Sequence, residues 1–396
     1  MQVWQEGTLG ENLERAGVSR RDFLAFCGKM AAIFAVGSYA GANSAMAAPT
    51  AEEIATKLSA VTKPVVVWLQ LQECTGCAES AIRSYGTTVE EIVLKLLSVE
   101  YFDLLMAPSG TAAEEALHNA NQGPHILVVN GSVPLNENGI HCVIGGKTAK
   151  QVLEEAAENA THILAMGACA VWGSVQASHP NPTGAVGVDS IIRNKPVINV
   201  AGCPPIGDVM TAVISYVLTY DAIPKLDGEG RPKFAYDQRV HDSCERRPHF
   251  DAGQFVRNFD DEAARNGWCL YNVGCKGPST YSPCPIVQWN LRASWPVAAG
   301  HPCIGCTEKD FYDRFTPFYA TLPNVGIDPG IEASSEAVGL GLIGIATAGV
   351  AAHAGITAAP SKKDELAQRE AQPLEAFGDA VRSYQTEPET TQGESN

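Results

Sequence analysis

The residues most able to do chemistry in this chain are its twelve cysteines, most of which fall into three sets. The sheet-edge set, named for the position predicted below, comprises Cys74, Cys77, Cys169 and Cys203. The His–Cys set comprises His241, Cys244, Cys269 and Cys275, and the three-cysteine set comprises Cys284, Cys303 and Cys306. Four converging thiolates bind either zinc or an iron–sulfur cluster. A Cys-x-x-Cys pair by itself is less specific, because redox dithiols share it.

The elements that must position the first of these sets are four short apolar runs. They cover 65–71, 125–130, 162–166 and 196–200. Each is rich in β-branched residues and nearly unbroken, which is typical of strands buried on both faces of a parallel sheet. Three of the runs are followed closely by cysteine. Because ligands bind outside the carboxyl ends of strands in open α/β sheets, we expect the sheet-edge set to converge there.

The pattern changes near residue 225. Before it, apolar runs alternate with helical stretches such as 148–160, which predicts a flavodoxin-like, doubly wound α/β domain over 48–225. After it, strand runs fade and Pro, Gly, aromatic and charged residues increase. We therefore expect an irregular domain over 226–325 that carries the His–Cys set and the three-cysteine set.

Disulfides and zinc are the alternatives to iron–sulfur ligation. The three sets use all the cysteines except Cys27 and Cys142. If Cys27 is removed with an N-terminal leader, an odd number of cysteines remains, which fits a disulfide framework poorly. Cys142 is interpreted as a buried free thiol.

The N-terminus reads as a signal for export of an already folded protein. A twin-arginine motif at 19–24 is followed by an apolar run to about Ala40 and by small residues at 45–47, where cleavage is expected. Residues 1–47 are therefore predicted to be a twin-arginine signal peptide, with a short buried helix or membrane anchor as the alternative. Export in the folded state is sensible for a protein that receives its cofactor in the cytoplasm.

The C-terminus contains a candidate membrane anchor. Residues 337–359 have no formal charge and are long enough to cross a bilayer, which needs about 20 apolar residues. Lysines follow this stretch, so the positive-inside rule places the tail at 361–396 in the cytoplasm and the main domain in the periplasm. A buried soluble helix is the alternative for 337–359. The tail is rich in acidic residues, Pro, Gln and Thr, and is predicted to be disordered.

Composition excludes one class of partner. The formal net charge is −16 and there is no basic cluster, which argues against nucleic acid.

The cysteine motifs together resemble the small, electron-transferring subunit of membrane-bound nickel–iron hydrogenases. The resemblance is carried by Glu-Cys-Thr-Gly-Cys at 73–77, Gly-Ala-Cys-Ala-Val-Trp-Gly at 167–173, Gly-Cys-Pro-Pro at 202–205 and Gly-His-Pro-Cys-Ile-Gly-Cys at 300–306. It extends from the twin-arginine motif into the C-terminal anchor. The resemblance implies a proximal 4Fe–4S cluster on the sheet-edge set, a medial 3Fe–4S cluster on the three-cysteine set and a distal 4Fe–4S cluster on the His–Cys set.

The resemblance also implies a function. The chain would be half of an obligate heterodimer on the periplasmic face of the cytoplasmic membrane, and the nickel–iron centre would lie on the large subunit. Electrons from hydrogen oxidation would pass through the three clusters to a membrane cytochrome b or similar quinone-linked acceptor. Two other functions stay open: a quinone-reducing relative that keeps only the proximal-type site, and a periplasmic module stabilised by zinc or disulfides.

One expectation concerns oxygen. Oxygen-tolerant relatives carry two extra cysteines around the proximal cluster, and the matching positions here are Gly76 and Ser174. The resemblance therefore implies a conventional proximal cubane and sensitivity to oxygen.

Overall fold

A computed structural model describes residues 8–15, 18–36, 49–60, 64–85, 97–322 and 344–354. The chain divides into two units, Met1–Glu332 and Ala333–Asn396.

The first unit is built around a parallel sheet. The strands are β1 (Val65–Gln70), β2 (Ser98–Phe102), β3 (His125–Asn130), β4 (Val133–Pro134), β5 (Val143–Ile144), β6 (Lys147–Thr148), β7 (Ala160–Met166), β8 (Ala185–Val186) and β9 (Val197–Val200). Five of them form the main sheet in the order β2-β1-β3-β7-β9, with every neighbouring pair parallel. Counted within the sheet this is 2-1-3-4-5, the strand order of flavodoxin-like folds. The predicted parallel α/β architecture is confirmed.

Helices cover both faces of this sheet. Those that precede residue 225 are α1 (Leu9–Arg15), α2 (Arg20–Val36), α3 (Ala51–Ala60), α4 (Gly76–Ile82), α5 (Thr111–Asn121), α6 (Ala149–Glu158), α7 (Ala168–Trp172), α8 (Ser174–Ala177) and α9 (Gly207–Tyr220). Alternate strand residues point to opposite faces, so Val128 and Leu164 pack with α9 while Leu127 and Ile163 pack with α5 and α6. The sheet is therefore buried on both sides, which explains the unbroken apolar runs.

Among the five strands of the main sheet, the edge strand β2 is the one that the sequence pattern missed. Its first three residues, Ser98, Val99 and Glu100, are only partly buried, and two of them are polar. An edge strand of mixed composition has no continuous apolar run to reveal it.

Helix α2, in the N-terminal segment predicted as a leader, packs against α9 within the first unit. The twin arginines Arg20 and Arg21 are exposed at the start of α2, whereas Cys27 and Met30 have no exposed surface. The ring of Phe34 lies 5.6 Å from that of Tyr216 in α9. Residues 1–7, 16–17 and 37–48 lie outside the described part, and removal of 1–47 stays a prediction.

The region after residue 225 is irregular, as predicted. Its helices are α10 (Lys233–Tyr236), α11 (Arg247–Asp251), α12 (Glu262–Arg265), α13 (Cys284–Val287) and α14 (Phe311–Arg314), joined by single-turn 3₁₀ helices at Val240–Ser243, Tyr271–Val273 and Gly277–Ser279. None of these α-helices exceeds five residues. The region is therefore held together by turns and side chains more than by regular elements.

The predicted membrane span lies only partly within the described residues. Residues 344–354 are helical and exposed, including Ile345 and Val350. Within the described ranges, no helix combines the length and the apolar character needed to span a bilayer. The rest of 337–359 and the whole of 361–396 lie outside those ranges.

Candidate metal centres

The four cysteines of the sheet-edge set lie just beyond the carboxyl ends of three strands of the parallel sheet. Cys74 follows β1, Cys77 lies in α4, Cys169 lies in α7 directly after β7, and Cys203 follows β9. Burial raises the pKa of Cys77 well above its usual value, and the nearby Glu73, Cys169, Cys203 and Cys74 raise it further. Cysteines that are far apart in sequence are therefore close enough at this site for their charges to interact.

Unusual backbone conformations allow the sheet-edge thiols to approach. Gly167 has a φ of 100°, and a Cβ there would overlap the Sγ of Cys77. Gly202 has a φ of 144°, and a Cβ there would lie 2.6 Å from the Cα of Pro205. Thr75, between the first two cysteines, has a φ of 68° although it is not glycine. Strained conformations of this kind cluster at functional sites, where the surrounding structure enforces them.

Polar side chains surround the sheet-edge thiols. The Sγ of Cys169 lies 3.3 Å from Oε1 of Gln176, whose amide nitrogen donates to the carbonyl of Gln72. Ser174 is fully buried beside Cys169 and Cys203. Burial and the charge of Cys203 raise the pKa of Cys169 to about 11, and Ser174 and Gln176 oppose that rise. These groups would orient a thiolate bound to a metal.

The His–Cys set is brought together by single turns of the irregular region. Burial raises the pKa of Cys244 to about 11 and of Cys269 to about 12, and the thiol of Cys275 adds to both. A Cβ on Gly277 would lie 3.4 Å from the Sγ of Cys275 and 3.8 Å from the backbone nitrogen of His241. These are ordinary van der Waals distances, so Gly277 lies in contact range of both segments. The buried His241 ring lies edge-on to Phe250 at 4.6 Å.

The three-cysteine set is assembled around α13. Cys284 begins this helix, and its Sγ accepts a hydrogen bond of 3.4 Å from Nε1 of Trp289. Burial raises the pKa of Cys303 well above its usual value, with contributions from Cys275, Cys306 and Cys284. Burial and Cys284 raise the pKa of Cys306 to about 12.

Two contacts place the three-cysteine set between the other two sets. Cys203, in the sheet-edge set, and Cys306 pack against the same small apolar cluster around Phe311. The backbone N–H of Lys276, directly after Cys275 of the His–Cys set, donates to the carbonyl of Cys303 at 2.7 Å. The spatial order is therefore sheet-edge set, three-cysteine set, His–Cys set. The chain order differs, because the three-cysteine set comes last.

The donor chemistry fits iron–sulfur clusters. All twelve cysteines are described, and each is a free thiol, so no disulfide is formed. Within the described ranges, no three His, Cys, Asp or Glu side chains are arranged to hold a single metal ion. Buried thiolates repel one another and lose hydration, a cost that a cationic iron core offsets. Sets of four cysteines, or of cysteines with histidine, are the ligands such clusters use.

The two remaining cysteines stay outside the three sets. Cys142 is free but only half-buried, and burial together with Asp103 raises its pKa. Cys27 is fully buried in α2.

Three buried cations near the sets were missed by the sequence analysis. Lys276 follows Cys275 directly, and Arg246 lies two residues after Cys244, so proximity to a cysteine motif could have revealed both. The backbone nitrogen of Arg246 lies 3.4 Å from the Sγ of Cys244, and its guanidinium donates to the carbonyl of Trp268 at 2.8 Å. Arg231 has no such neighbour in the sequence, and nothing local could have revealed it.

Two protein families match this chain, one over each part of the first unit. The family of the NADH ubiquinone oxidoreductase 20 Kd subunit matches residues 74–217, which contain the sheet-edge set. The family defined by the C-terminal region of the NiFe/NiFeSe hydrogenase small subunit matches residues 236–319, which contain the other two sets.

Full-length relatives extend the similarity. The uptake hydrogenase small subunit of Azotobacter vinelandii is 46% identical over 354 residues, covering 89% of this chain and 96% of the relative. The Hydrogenase-1 small chain of Escherichia coli (strain K12) is 42% identical over 373 residues, covering 93% of this chain and 96% of the relative.

Solved structures share the fold. A chain of the [NiFeSe] hydrogenase from Dm. baculatum superposes with a TM-score of 0.62 at 30% identity, covering 66% of this chain and all of that one. A chain of the actinobacterial-type NiFe-hydrogenase from Ralstonia eutropha H16 gives the same TM-score at 25% identity, covering 73% of this chain and 91% of that one.

Proposed function

We propose, because this chain belongs to the small-subunit family of nickel–iron hydrogenases, that its three sets of thiols hold the iron–sulfur clusters through which it transfers electrons. The family makes the chain the electron-transferring subunit of a hydrogen:acceptor oxidoreductase, with a hydrogenase large subunit as its partner. The observation that carries the proposal is the packing of Cys203 and Cys306 against one apolar cluster, together with the hydrogen bond from the N–H of Lys276, next to Cys275, to the carbonyl of Cys303. These contacts support one continuous path through the three ligand sets.

The ligand sets differ in a way that suits different centres. Bound iron–sulfur clusters supply one-electron acceptance and donation. Four thiols at the sheet edge fit a 4Fe–4S cluster, and three thiols around α13 fit a 3Fe–4S cluster. The imidazole of His241 replaces one negative thiolate with a neutral ligand, which raises the potential of a 4Fe–4S cluster there. On this proposal, the neutral ligand His241 belongs to the set at one end of the proposed electron path.

The chain's ends suit a protein attached to the outer face of the cytoplasmic membrane. The twin arginines Arg20 and Arg21 are accessible on the surface, as an export signal must be. The uncharged stretch 337–359 is the proposed anchor in the lipid bilayer. A membrane cytochrome b or similar quinone-linked protein is the proposed electron acceptor, reached from the end of the path at the His–Cys set.

Replacement of single cysteines tests the ligand assignment. Cys74→Ala should remove the cluster of the sheet-edge set, so the purified heterodimer should contain less iron and should lose hydrogen-dependent dye reduction. Cys142→Ala is the matched control, because Cys142 is free and outside all three sets. An unchanged iron content in the Cys74→Ala protein would contradict the assignment.

The neighbours of the sheet-edge thiols lead to a prediction about oxygen. Gly76 and Ser174 offer no additional thiol there, and a Cβ on Gly76 would lie 3.3 Å from the Sγ of Cys74. We expect a conventional cubane and loss of hydrogen oxidation when the purified heterodimer is assayed in air. Sustained hydrogen oxidation in air would count against this prediction.

A further inference from the structure

Lys276 is a buried cation at the junction of two ligand sets. Its residue surface is only 2% exposed, and it directly follows Cys275 of the His–Cys set. Its backbone nitrogen donates to the carbonyl of Cys303, in the three-cysteine set, at 2.7 Å. The lysine is thus tied to both sets through its own backbone.

The hydrogen bonds of the Lys276 side chain require its protonated, positively charged form. Its Nζ donates to the carbonyls of Gly274 at 2.7 Å, Phe318 at 3.0 Å and Ala320 at 2.5 Å. An ammonium group has three N–H donors, whereas a neutral amine has two. Three acceptors in hydrogen-bonding distance therefore fix a full positive charge in one place.

This charge is not neutralised by a nearby acid. In the ranges that the structure describes, Lys276 forms no ion pair with a carboxylate. The groups next to it belong to the ligand sets, because Lys276 directly follows Cys275 and its backbone nitrogen donates to the carbonyl of Cys303 at 2.7 Å. Buried charges are screened by salt much less than exposed ones. The field of Lys276 therefore acts chiefly on the ligands of these two sets.

A fixed positive charge favours the reduced, more negative state of a nearby redox centre, and net charge around a cluster is a main determinant of its potential. We propose that Lys276 is a positioning residue for electron transfer, whose buried ammonium raises the reduction potentials of the centres on the three-cysteine set and the His–Cys set relative to the centre on the sheet-edge set. This inference rests on the proposed function. It adds that one side chain raises the reduction potentials of two of the three centres together.

The experiment is a redox titration of the intact heterodimer, followed by electron paramagnetic resonance. Lys276→Met removes the charge and keeps an unbranched side chain of similar length. Both affected centres should become harder to reduce, with about a tenfold change in the ratio of oxidised to reduced centre at fixed potential, equivalent to about 59 mV for one electron. The centre on the sheet-edge set should not shift, which makes it an internal control.

Three further variants separate the effect of the charge from an effect on the fold. Lys276→Arg keeps the charge and should keep both potentials close to those of the unmodified protein. Lys150→Met removes the same charge from an exposed position on α6, where Lys150 faces Glu154 at 3.7 Å, and should shift nothing. Lys276→Gln, neutral but still a hydrogen-bond donor, replaces Lys276→Met if that variant does not retain its clusters.

The outcomes distinguish failure of the proposed role of Lys276 from failure of the proposed function of the protein. Absence of iron–sulfur signals in the unmodified heterodimer would overturn the proposed function itself. Normal signals with unchanged potentials in a cluster-loaded neutral variant would overturn the role of Lys276 alone. Loss of the clusters from both neutral variants would also overturn it, in favour of a purely structural lysine.

Discussion

The thiols of the sheet-edge set and those of the region after residue 225 are positioned by different kinds of structure. At the sheet edge, strands such as β1, whose four central residues are buried, end in the loops that carry cysteine. After residue 225, Cys284 lies in the four-residue helix α13 and His241 in a single 3₁₀ turn. Buried charges such as Arg231 and Lys276 connect those turns. The sheet-edge set is attached to an apolar core that forms without it. The two sets after residue 225 are themselves part of the core of their region.

Removal of iron should produce the largest difference between the two regions. We expect the region over 236–319 to lose more than about 5 kcal/mol of stability, which is the low end of the net stability of a whole domain and enough to unfold it. The sheet should keep its fold, because its apolar core is independent of the clusters. Hydrogen exchange of the heterodimer before and after chelation of iron measures both regions at once. Equal loss of protection in β3 and in 236–319 would contradict the distinction.

A smaller effect is expected at the buried charge network that supports the three-cysteine set. Arg231 Nε lies 2.8 Å from Asp227, and its Nη1 lies 3.1 Å from Glu308 and donates to the carbonyl of Thr307, directly after Cys306. Arg231→Ala leaves two carboxylates without this cation and should destabilise the protein by about 3–5 kcal/mol. Chemical denaturation of the heterodimer checks this value.

The control for Arg231 is an ion pair on the surface of the sheet region. Lys147 and Glu155 are about half exposed, and Lys147→Ala should cost about 0–1 kcal/mol. If the two variants were equally stable, buried charge would not be what holds the irregular region together.

The smallest effect is expected at a helix cap in the sheet region. Thr148 and Gln151 form a reciprocal capping box at the start of α6, with the Gln151 N–H donating to Oγ1 of Thr148 at 3.3 Å and the Thr148 N–H donating to Oε1 of Gln151 at 2.9 Å. Thr148→Ala should cost about 1 kcal/mol and leave all three iron–sulfur signals in place. Loss of iron in this variant would show that the sheet and the clusters are more strongly coupled than the comparison states.

The same difference explains what the sequence could predict. Strands β1, β3, β7 and β9 are buried on both faces, so their apolar runs reveal them, and the convergence of the sheet-edge set follows from strand geometry alone. The edge strand β2 lacks such a run. The loss of periodicity after residue 225 predicted an irregular region but not its packing.

Long-range contacts in that region leave no local trace in the sequence. Arg231 and Glu308 are 77 residues apart. The three-cysteine set lies between the other two sets in space although it comes last in the chain, and only the family resemblance implied that order. The spatial order depends on contacts between distant segments, such as the hydrogen bond from the N–H of Lys276 to the carbonyl of Cys303, which side-chain patterns do not encode.

The central claim is that three sets of side chains gather three inorganic centres along one path. Iron and sulfide analysis of the purified heterodimer, combined with electron paramagnetic resonance during a redox titration, tests it directly. The account predicts three distinct iron–sulfur centres that titrate at separate potentials. A protein without iron and sulfide, whether it contains zinc or cysteines joined to one another, would contradict it.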